Sequence, residues 1–449
     1  MREHFFESLK ISLPLIIAQM AQLGLGLTDT LMVGWYGTQE LAALTLGHAC
    51  IFFVYITITG FSLGIIAKVS EAFGRENLQL VRLNVRMGVW LVLAFSILGI
   101  LILANTGSIL TFFKQEAHLI DVVEDYIQII TWMLPTILMT YVFKAFLISV
   151  GKERIVLVIS VIGLIINFLL NYLFIFGNFG MPELGLRGAA IASLGSSVSM
   201  LGATITYSCF SDIQRYKIFS NFFEFDKKIF SSLFKVGWPI CLTIMAESGM
   251  FSTAPLFMGW LGEAQLAAHG VVMIIFAFFF MIPLGISQAG TVRVAKTLGE
   301  RKLNDIGNIA FSIYGLGLGW ACVNTAIIMI FREDIVNLFI DQTNVNADLV
   351  LLYAKSYLLV CCLFHIADSG QILFAAILRG FSETKIPFVM SLFSYWAIGV
   401  PTAYYLSQHT QALGLGVYLG IGTGLLFASI LLFYRYLTVK RTTIINFAS

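Results

Sequence analysis

Charged residues are scarce in this sequence. Only 12% of its 449 residues are Asp, Glu, Lys or Arg, whereas 58% are hydrophobic and the mean hydropathy is +0.89. A soluble domain carries about a quarter of its residues as charges, so a water-soluble globular protein is excluded. Apolar runs of about 20 residues separate the charges, which is the length a helix needs to cross a bilayer. Such runs are too long and too uniformly apolar for barrel strands, so the sequence predicts an all-α membrane protein.

Paired cysteines and clusters of positive charge are also lacking. The six cysteines show no CxxC spacing, and we interpret them as small packing residues rather than as disulfides or metal ligands. The net charge of +2 comes without a basic stripe, which excludes nucleic acid as a partner. The first apolar run has no small-residue cleavage site before or after it, so we interpret it as a retained first span.

The apolar runs predict twelve membrane-spanning helices. They lie near residues 9–33, 43–67, 84–104, 123–148, 155–176, 187–208, 233–258, 266–292, 308–331, 350–378, 386–406 and 412–436. Most neighbouring spans are joined by short links marked by Gly or Pro. The stretch at about 211–230 is longer, polar and basic, and it is the candidate linker between two halves.

Basic residues predict the orientation in the membrane. Four of the 27 Lys and Arg residues, Lys114, Arg187, Arg332 and Lys355, fall on one set of alternate loops. We assign the others to the termini and to the remaining loops. Because Lys and Arg concentrate on the cytoplasmic side, both termini are expected to be cytoplasmic.

An internal repeat appears when the chain is shifted by 225 residues. Thirteen of the 34 positions in 10–43 then match 235–268, and Pro14 falls on Pro239. The repeat predicts two homologous halves, 1–225 and 226–449, with six spans each. Because six is even, the halves share one orientation, and a pseudo-two-fold axis along the membrane normal is expected to relate them around a central cavity.

Three of the 25 acidic residues fall well inside apolar segments: Asp29 in span 1, Glu247 in span 7 and Asp368 in span 10. A charge near the centre of a bilayer costs at least about 2.5 kcal/mol, so such carboxylates usually face a cavity and bind ions or protons there. The alternative is a protonated carboxyl group that bonds a neighbouring helix. In the repeat, Glu247 falls on Gln22 and Asp29 on Ala254. This asymmetry favours different roles in the two halves.

Other polar residues lie close to these carboxylates in the sequence pattern. Asn167 and Asn171 share a helix face and can hydrogen-bond a carboxyl group of span 1 or join helices together. Ser193 on span 6 is a candidate for the same cluster, or a small residue of helix packing. His365 lies one turn before Asp368 and can tune it, titrate itself, or make a plain polar contact.

The run of phenylalanines in span 8 suggests a surface for flat cations. Phe276, Phe280 and Met281 are candidates for a substrate pocket, together with Gln22 from span 1. The alternative is bulk that faces lipid, and we expect part of the run to do so.

Several stretches together resemble the multidrug and toxic compound extrusion family, in its bacterial norfloxacin-exporter (NorM-like) branch. They are "PLIIAQMAQLGLGLTDTLMVG", "INFLLNYLFIFGNFGMPELGLRGAAIAS", "GWPICLTIMAES", "QLAAH", "RVAKTLGE" and "SYWAIGVPT". None is a catalytic signature, and their order and spacing over the whole chain carry the resemblance. It implies a monomeric multidrug antiporter of the bacterial inner membrane, without enzymatic activity or cofactor, that exchanges lipophilic cations and fluoroquinolones for Na⁺ or H⁺.

The resemblance also implies roles for single residues. Asp29, with the two asparagines of span 5, corresponds to a proton-linked cluster, and Glu247 with Asp368 to a cation site that can hold Na⁺. This sequence departs from the family pattern at two positions. Ser193 replaces a threonine, which keeps the hydroxyl group, whereas Phe364 replaces a tyrosine and removes an oxygen that Na⁺ would bind.

Two other functions compete with drug export. A flippase for lipid-linked precursors needs Arg and Lys in its cavity to bind phosphate, but the mid-span charges here are acidic. A membrane-embedded lipid-modifying enzyme would use His365 and Asp368 as a base and its orienting group, but no nucleophile motif or metal-ligand spacing accompanies them.

Overall fold

The backbone is helical nearly throughout, as hydrocarbon requires of a chain that must satisfy its own amide groups. A computed structural model describes residues 1–112, 114–115, 117–339 and 347–448, and no strand occurs in these ranges. The helices are α1 (Arg2–Tyr36), α2 (Thr38–Gly74), α3 (Leu78–Leu103), α4 (Thr106–Phe112), α5 (Ala117–Ile130), α6 (Met133–Ser149), α7 (Glu153–Phe174), α8 (Leu186–Phe210), α9 (Lys227–Leu261), α10 (Glu263–Gly299), α11 (Ile306–Asn337), α12 (Ala347–Gly380), α13 (Lys385–Phe393), α14 (Val400–His409) and α15 (Leu413–Ala448).

The helices confirm the predicted all-α membrane fold. Eleven of the described segments are long and apolar enough to cross a bilayer, and α5 with α6 forms a twelfth if this bent pair is one span. The predicted span at 123–148 corresponds to α5 and α6, between which the chain bends by 43°. The break lies just before Pro135, whose missing N–H and ring disfavour a helix running through this point.

The described chain packs into two compact units. The C-terminal unit comprises Met1–Ile16 and Leu242–Ser449, and the N-terminal unit comprises Ile17–Cys241. In the C-terminal unit, α12 packs against α10, α11 and α15, and in the N-terminal unit, α2 packs against α3 and α6 while α7 packs against α8. The units differ from the predicted halves because α1 and α9 each contribute to both.

The start of α1 is fixed within the C-terminal unit by a buried arginine of α10. Arg293, which is 7% exposed, donates to the Ser8 hydroxyl and to the Glu7 carboxylate, each over 2.5 Å. A buried guanidinium needs such partners. The repeat places Lys68 at the equivalent position, and this lysine instead pairs with Glu71 on its own helix at 3.7 Å.

The predicted linker is bound to α3 by hydrogen bonds. Arg82 and Trp90 of α3 donate to the backbone carbonyls of Tyr216 (2.9 Å) and Phe222 (3.2 Å). Arg86, between them on the same face, donates to the carbonyl of Asn221 at 2.5 Å. Donors spaced by four residues lie on one stripe of a helix, so α3 holds the linker in the N-terminal unit.

Lys144 lies inside a helix, although basic residues were predicted to lie at the termini and in loops. Lys144 is inside α6 and 7% exposed, and its ammonium donates to the Ser160 hydroxyl at 2.9 Å. It also lies over the ring of Tyr141, 5.7 Å from the centroid. The assignment of all other Lys and Arg to termini and loops is therefore wrong for Lys144.

Candidate functional site

Asp29 is the centre of a buried polar cluster in the N-terminal unit. It is 4% exposed, and its Oδ1 accepts hydrogen bonds from the side-chain amides of Asn171 (2.6 Å) and Asn167 (3.1 Å). Its Oδ2 is 2.5 Å from the Ser193 hydroxyl, which donates to it. The predicted bond from the asparagine pair to a carboxyl group of span 1 is therefore confirmed, and Ser193 joins it.

Helix geometry explains why these side chains meet. Asn167 and Asn171 are one turn apart on α7, with no exposed surface, and α7 packs closely on α8, which carries Ser193. The asparagines also bond each other at 3.3 Å. Three donors aimed at one carboxylate stabilise its ionised form, and a proton that binds there must rearrange them.

His48 and Tyr126 belong to the surroundings of this cluster, although no role was predicted for them. His48 of α2 interacts electrostatically with Asp29, and its ring centroid is 6.0 Å from that of Tyr126. The sequence signal was weak because His48 lies near a predicted span end. Only the packing of α2 against α5 brings these two rings together beside the carboxylate.

Glu247 and Asp368 form the corresponding pair in the C-terminal unit. Asp368 on α12 has no exposed surface and interacts electrostatically with Glu247 on α9. The Gln371 side chain and the Arg379 guanidinium both lie near Glu247. Asp368, Gln371 and Arg379 are spaced by three and eight residues, so they lie along one side of α12.

The two carboxylate sites differ in how their oxygens are satisfied. Both oxygens of Asp368 lack a hydrogen-bond partner among the described residues, whereas both oxygens of Asp29 accept bonds. A buried carboxylate without donors is costly unless a cation or proton neutralises it. The site of Asp368 is therefore chemically suited to bind a cation.

No role at the site was predicted for Arg379, because the basic residues were considered only as indicators of membrane orientation. Its guanidinium lies close enough to Glu247 for electrostatic attraction. With two carboxylates and one guanidinium, the site carries a formal charge of −1 when all three groups are ionised.

His365 is buried, at 1% exposure, but it does not hydrogen-bond Asp368. Neither ring nitrogen has a partner among the described residues. Its ring packs edge-on against Phe276, with centroids 5.7 Å apart. The suggestion that His365 tunes Asp368 directly therefore has no hydrogen bond to support it, and a role as a titrating group stays a prediction.

The candidate pocket residues divide between the units. Phe276 and Phe280 stack with centroids 6.0 Å apart, and Met281 follows them on α10, partly buried. Phe278 is 48% exposed, which fits the expectation that part of the run faces lipid. Gln22 lies on α1 in the N-terminal unit and is partly buried.

Comparison with known proteins identifies the family to which this chain belongs. A family model described as MatE matches residues 14–173 and 239–405, and the two matches begin 225 residues apart, like the repeat. The chain belongs to the MatE family, the multidrug and toxic compound extrusion (MATE) transporters. A "Probable multidrug resistance protein NorM" of Rhizobium meliloti (strain 1021) is 35% identical over 98% of this MATE chain and 94% of its own length.

Another relative and two solved structures extend the comparison. A probable NorM of Agrobacterium fabrum is 33% identical over 98% of this MATE chain and 95% of its own length. A MATE crystal structure in the bent conformation gives a TM-score of 0.88 at 19% identity, covering 98% and 96% of the two chains. An outward-facing multidrug resistance MATE family transporter also gives 0.88, at 20% identity and 97% and 96% coverage. At these identities the structures establish the shared fold.

Proposed function

We propose that this MATE chain is a multidrug efflux antiporter that exports organic cations and related drugs in exchange for Na⁺ or H⁺. The observation that carries the proposal is the pair of separate buried carboxylate sites, one in each unit. Intramembrane carboxylates mark ion and proton pathways in transporters. The relatives are named as probable multidrug resistance proteins, which supports drugs as the cargo.

Competition between ion and drug for acidic groups would couple their movements. A cation that neutralises Glu247 and Asp368, or a proton on Asp29, lowers the attraction of these sites for a cationic drug. A drug that binds first has the opposite effect on the ion. Because the affinity changes are reciprocal, the inward ion gradient can drive the drug outward.

Oxygen chemistry supports Na⁺ at the C-terminal carboxylate pair. Glu247 and Asp368 offer hard oxygen ligands, which suit Na⁺, whereas Asp29 sits among donors that a proton can rearrange.

We propose the bacterial plasma membrane as the location, with both termini cytoplasmic and a monomer as the working unit. The Lys and Arg distribution and the bacterial relatives support this proposal.

Drug release from proteoliposomes under one gradient at a time tests the proposed function. An imposed Na⁺ gradient at constant pH, or a pH gradient without Na⁺, should drive export against the drug gradient. Export that needs neither gradient would contradict antiport. Movement of lipid-linked phosphates without drug export would favour the flippase instead.

Membrane potential should affect drugs of different charge differently. The potential supplies about 2.3 kcal/mol per charge at 100 mV, and a tenfold ion gradient about 1.4 kcal/mol. When one monovalent drug cation exchanges for one monovalent ion, no net charge crosses the membrane, so the potential does not contribute to the driving force. Collapsing it with valinomycin and K⁺ is therefore expected to slow the export of a zwitterion much more than that of a monovalent cation. Equal inhibition of both would rule out one-to-one exchange.

A further inference from the structure

A π-helical turn, Ser394–Gly399, joins α13 to α14 and lies just before Pro401. A π turn inserts one extra residue and so redirects the side chains within it, and such turns occur frequently at functional sites. Tyr395 lies in this turn and has no exposed surface. The turn therefore sets where a buried phenol points.

The hydroxyl of Tyr395 lies at the carboxylate site of the C-terminal unit. It accepts a hydrogen bond from the Gln371 side-chain amide at 2.5 Å, and it interacts electrostatically with both Glu247 and Asp368. The next residue, Trp396, donates its indole N–H to the carbonyl of Ala246 at 3.1 Å. Since Ala246 precedes Glu247, the π turn is attached to both helices that carry the carboxylates.

Several buried oxygens at this place have no hydrogen-bond partner in the part of the chain that the structure describes. They are Oδ1 and Oδ2 of Asp368 and Oε1 of Gln371. Buried polar atoms are rarely left without partners, because the unpaired group has lost its contact with water. Oxygens that lack donors in this way favour a cation as their partner.

We propose that Tyr395 and Gln371 complete the coupling-cation site of Glu247 and Asp368 by supplying a phenol oxygen and an amide oxygen. The inference rests on the proposed function and specifies the ligands of that site. Carboxylate, amide and hydroxyl oxygens are hard ligands of the kind that Na⁺ binds.

Charge at the site limits which cation it takes. When ionised, Glu247 and Asp368 contribute two negative charges and Arg379 one positive charge. One monovalent cation balances the remainder. A divalent ion would leave an excess positive charge in a buried site, which is unfavourable.

Equilibrium binding of ²²Na⁺ to purified protein in detergent tests the inference without relying on transport. Tyr395→Phe keeps the ring and removes only the oxygen, and we expect it to weaken Na⁺ binding about tenfold, as losses next to a metal often do. Tyr418→Phe is the matched control, because this buried tyrosine bonds His269 at 2.7 Å and packs against Tyr357. It should bind Na⁺ like the wild type.

Gln371→Met provides a second route if Tyr395→Phe does not fold, which size-exclusion chromatography would reveal. It should weaken Na⁺ binding to a similar degree. If Tyr395→Phe or Gln371→Met folds and binds Na⁺ as tightly as the wild type, while Glu247→Gln loses Na⁺ binding, the replaced oxygen is not a ligand. The proposed antiport function would be unaffected by that result. A wild-type protein that binds no Na⁺ yet exports drug under a pH gradient would overturn the inference as well. Export without either gradient would instead refute the proposed function.

Discussion

Asp29→Asn is expected to abolish drug export while leaving the protein folded. Asparagine has the same shape as aspartate, so its oxygen can still accept from Asn171 and its amide can donate to Ser193. What it loses is the negative charge and the ability to bind a proton reversibly. Removing a charge from a membrane interior does not destabilise the fold, so expression and monodispersity should match the wild type. Efflux from cells and proteoliposomes measures the effect.

Asp125→Asn is the matched control for this substitution. Asp125 is an exposed carboxylate on α5, paired with Arg187 at 2.6 Å, and such surface pairs contribute about 0–1 kcal/mol. Its replacement should leave export unchanged. Wild-type drug resistance in cells that carry Asp29→Asn would mean that the buried carboxylate is structural, and the proposed coupling in the N-terminal unit would be wrong.

Glu247→Gln is expected to remove export as completely. Gln keeps the length and a hydrogen-bonding end, but the C-terminal site would change from a formal charge of −1 to neutral and would no longer attract a cation. Asp368 would also face one negative charge fewer, so the thermal midpoint in detergent should not fall. Na⁺-driven drug release and unfolding temperature are the two measurements.

Glu263→Gln, at the exposed first turn of α10, is the corresponding control and should transport normally. A Glu247→Gln protein that still exports drug under a Na⁺ gradient would rule out this carboxylate as part of the coupling site. A protein that exports only under a pH gradient would assign Na⁺ coupling to Glu247 and proton coupling elsewhere.

The membrane topology and the three carboxylates could be predicted because both depend on local composition. Long apolar runs identify helices without reference to their neighbours, and a charge within such a run stands out. The pairing of Asn167 with Asn171 followed from helical periodicity alone. The same reasoning placed one span over 123–148 without the bend before Pro135, since a hydropathy average does not register a break in a helix.

Other parts of the sites depend on packing between distant segments. Tyr395 lies in a π turn, which the hydropathy of "SYWAIGVPT" does not predict, although Pro401 in this stretch lacks the N–H that a regular α-helix needs. Arg379 resembles other basic residues near a helix end until α9 is seen to bring Glu247 beside it. His48 reaches Asp29 in the same indirect way.

The division of α1 and α9 between the compact units has a mechanical consequence. The chain passes from one unit to the other at residues 16–17 and 241–242, inside α1 and α9. Pro14 and Pro239 lie two residues before these crossings and at equivalent positions of the repeat. Each proline removes one backbone hydrogen bond. Both helices are therefore weakened locally next to the points where the chain leaves one unit for the other, and the duplicated sequence repeats this weakness at matched positions.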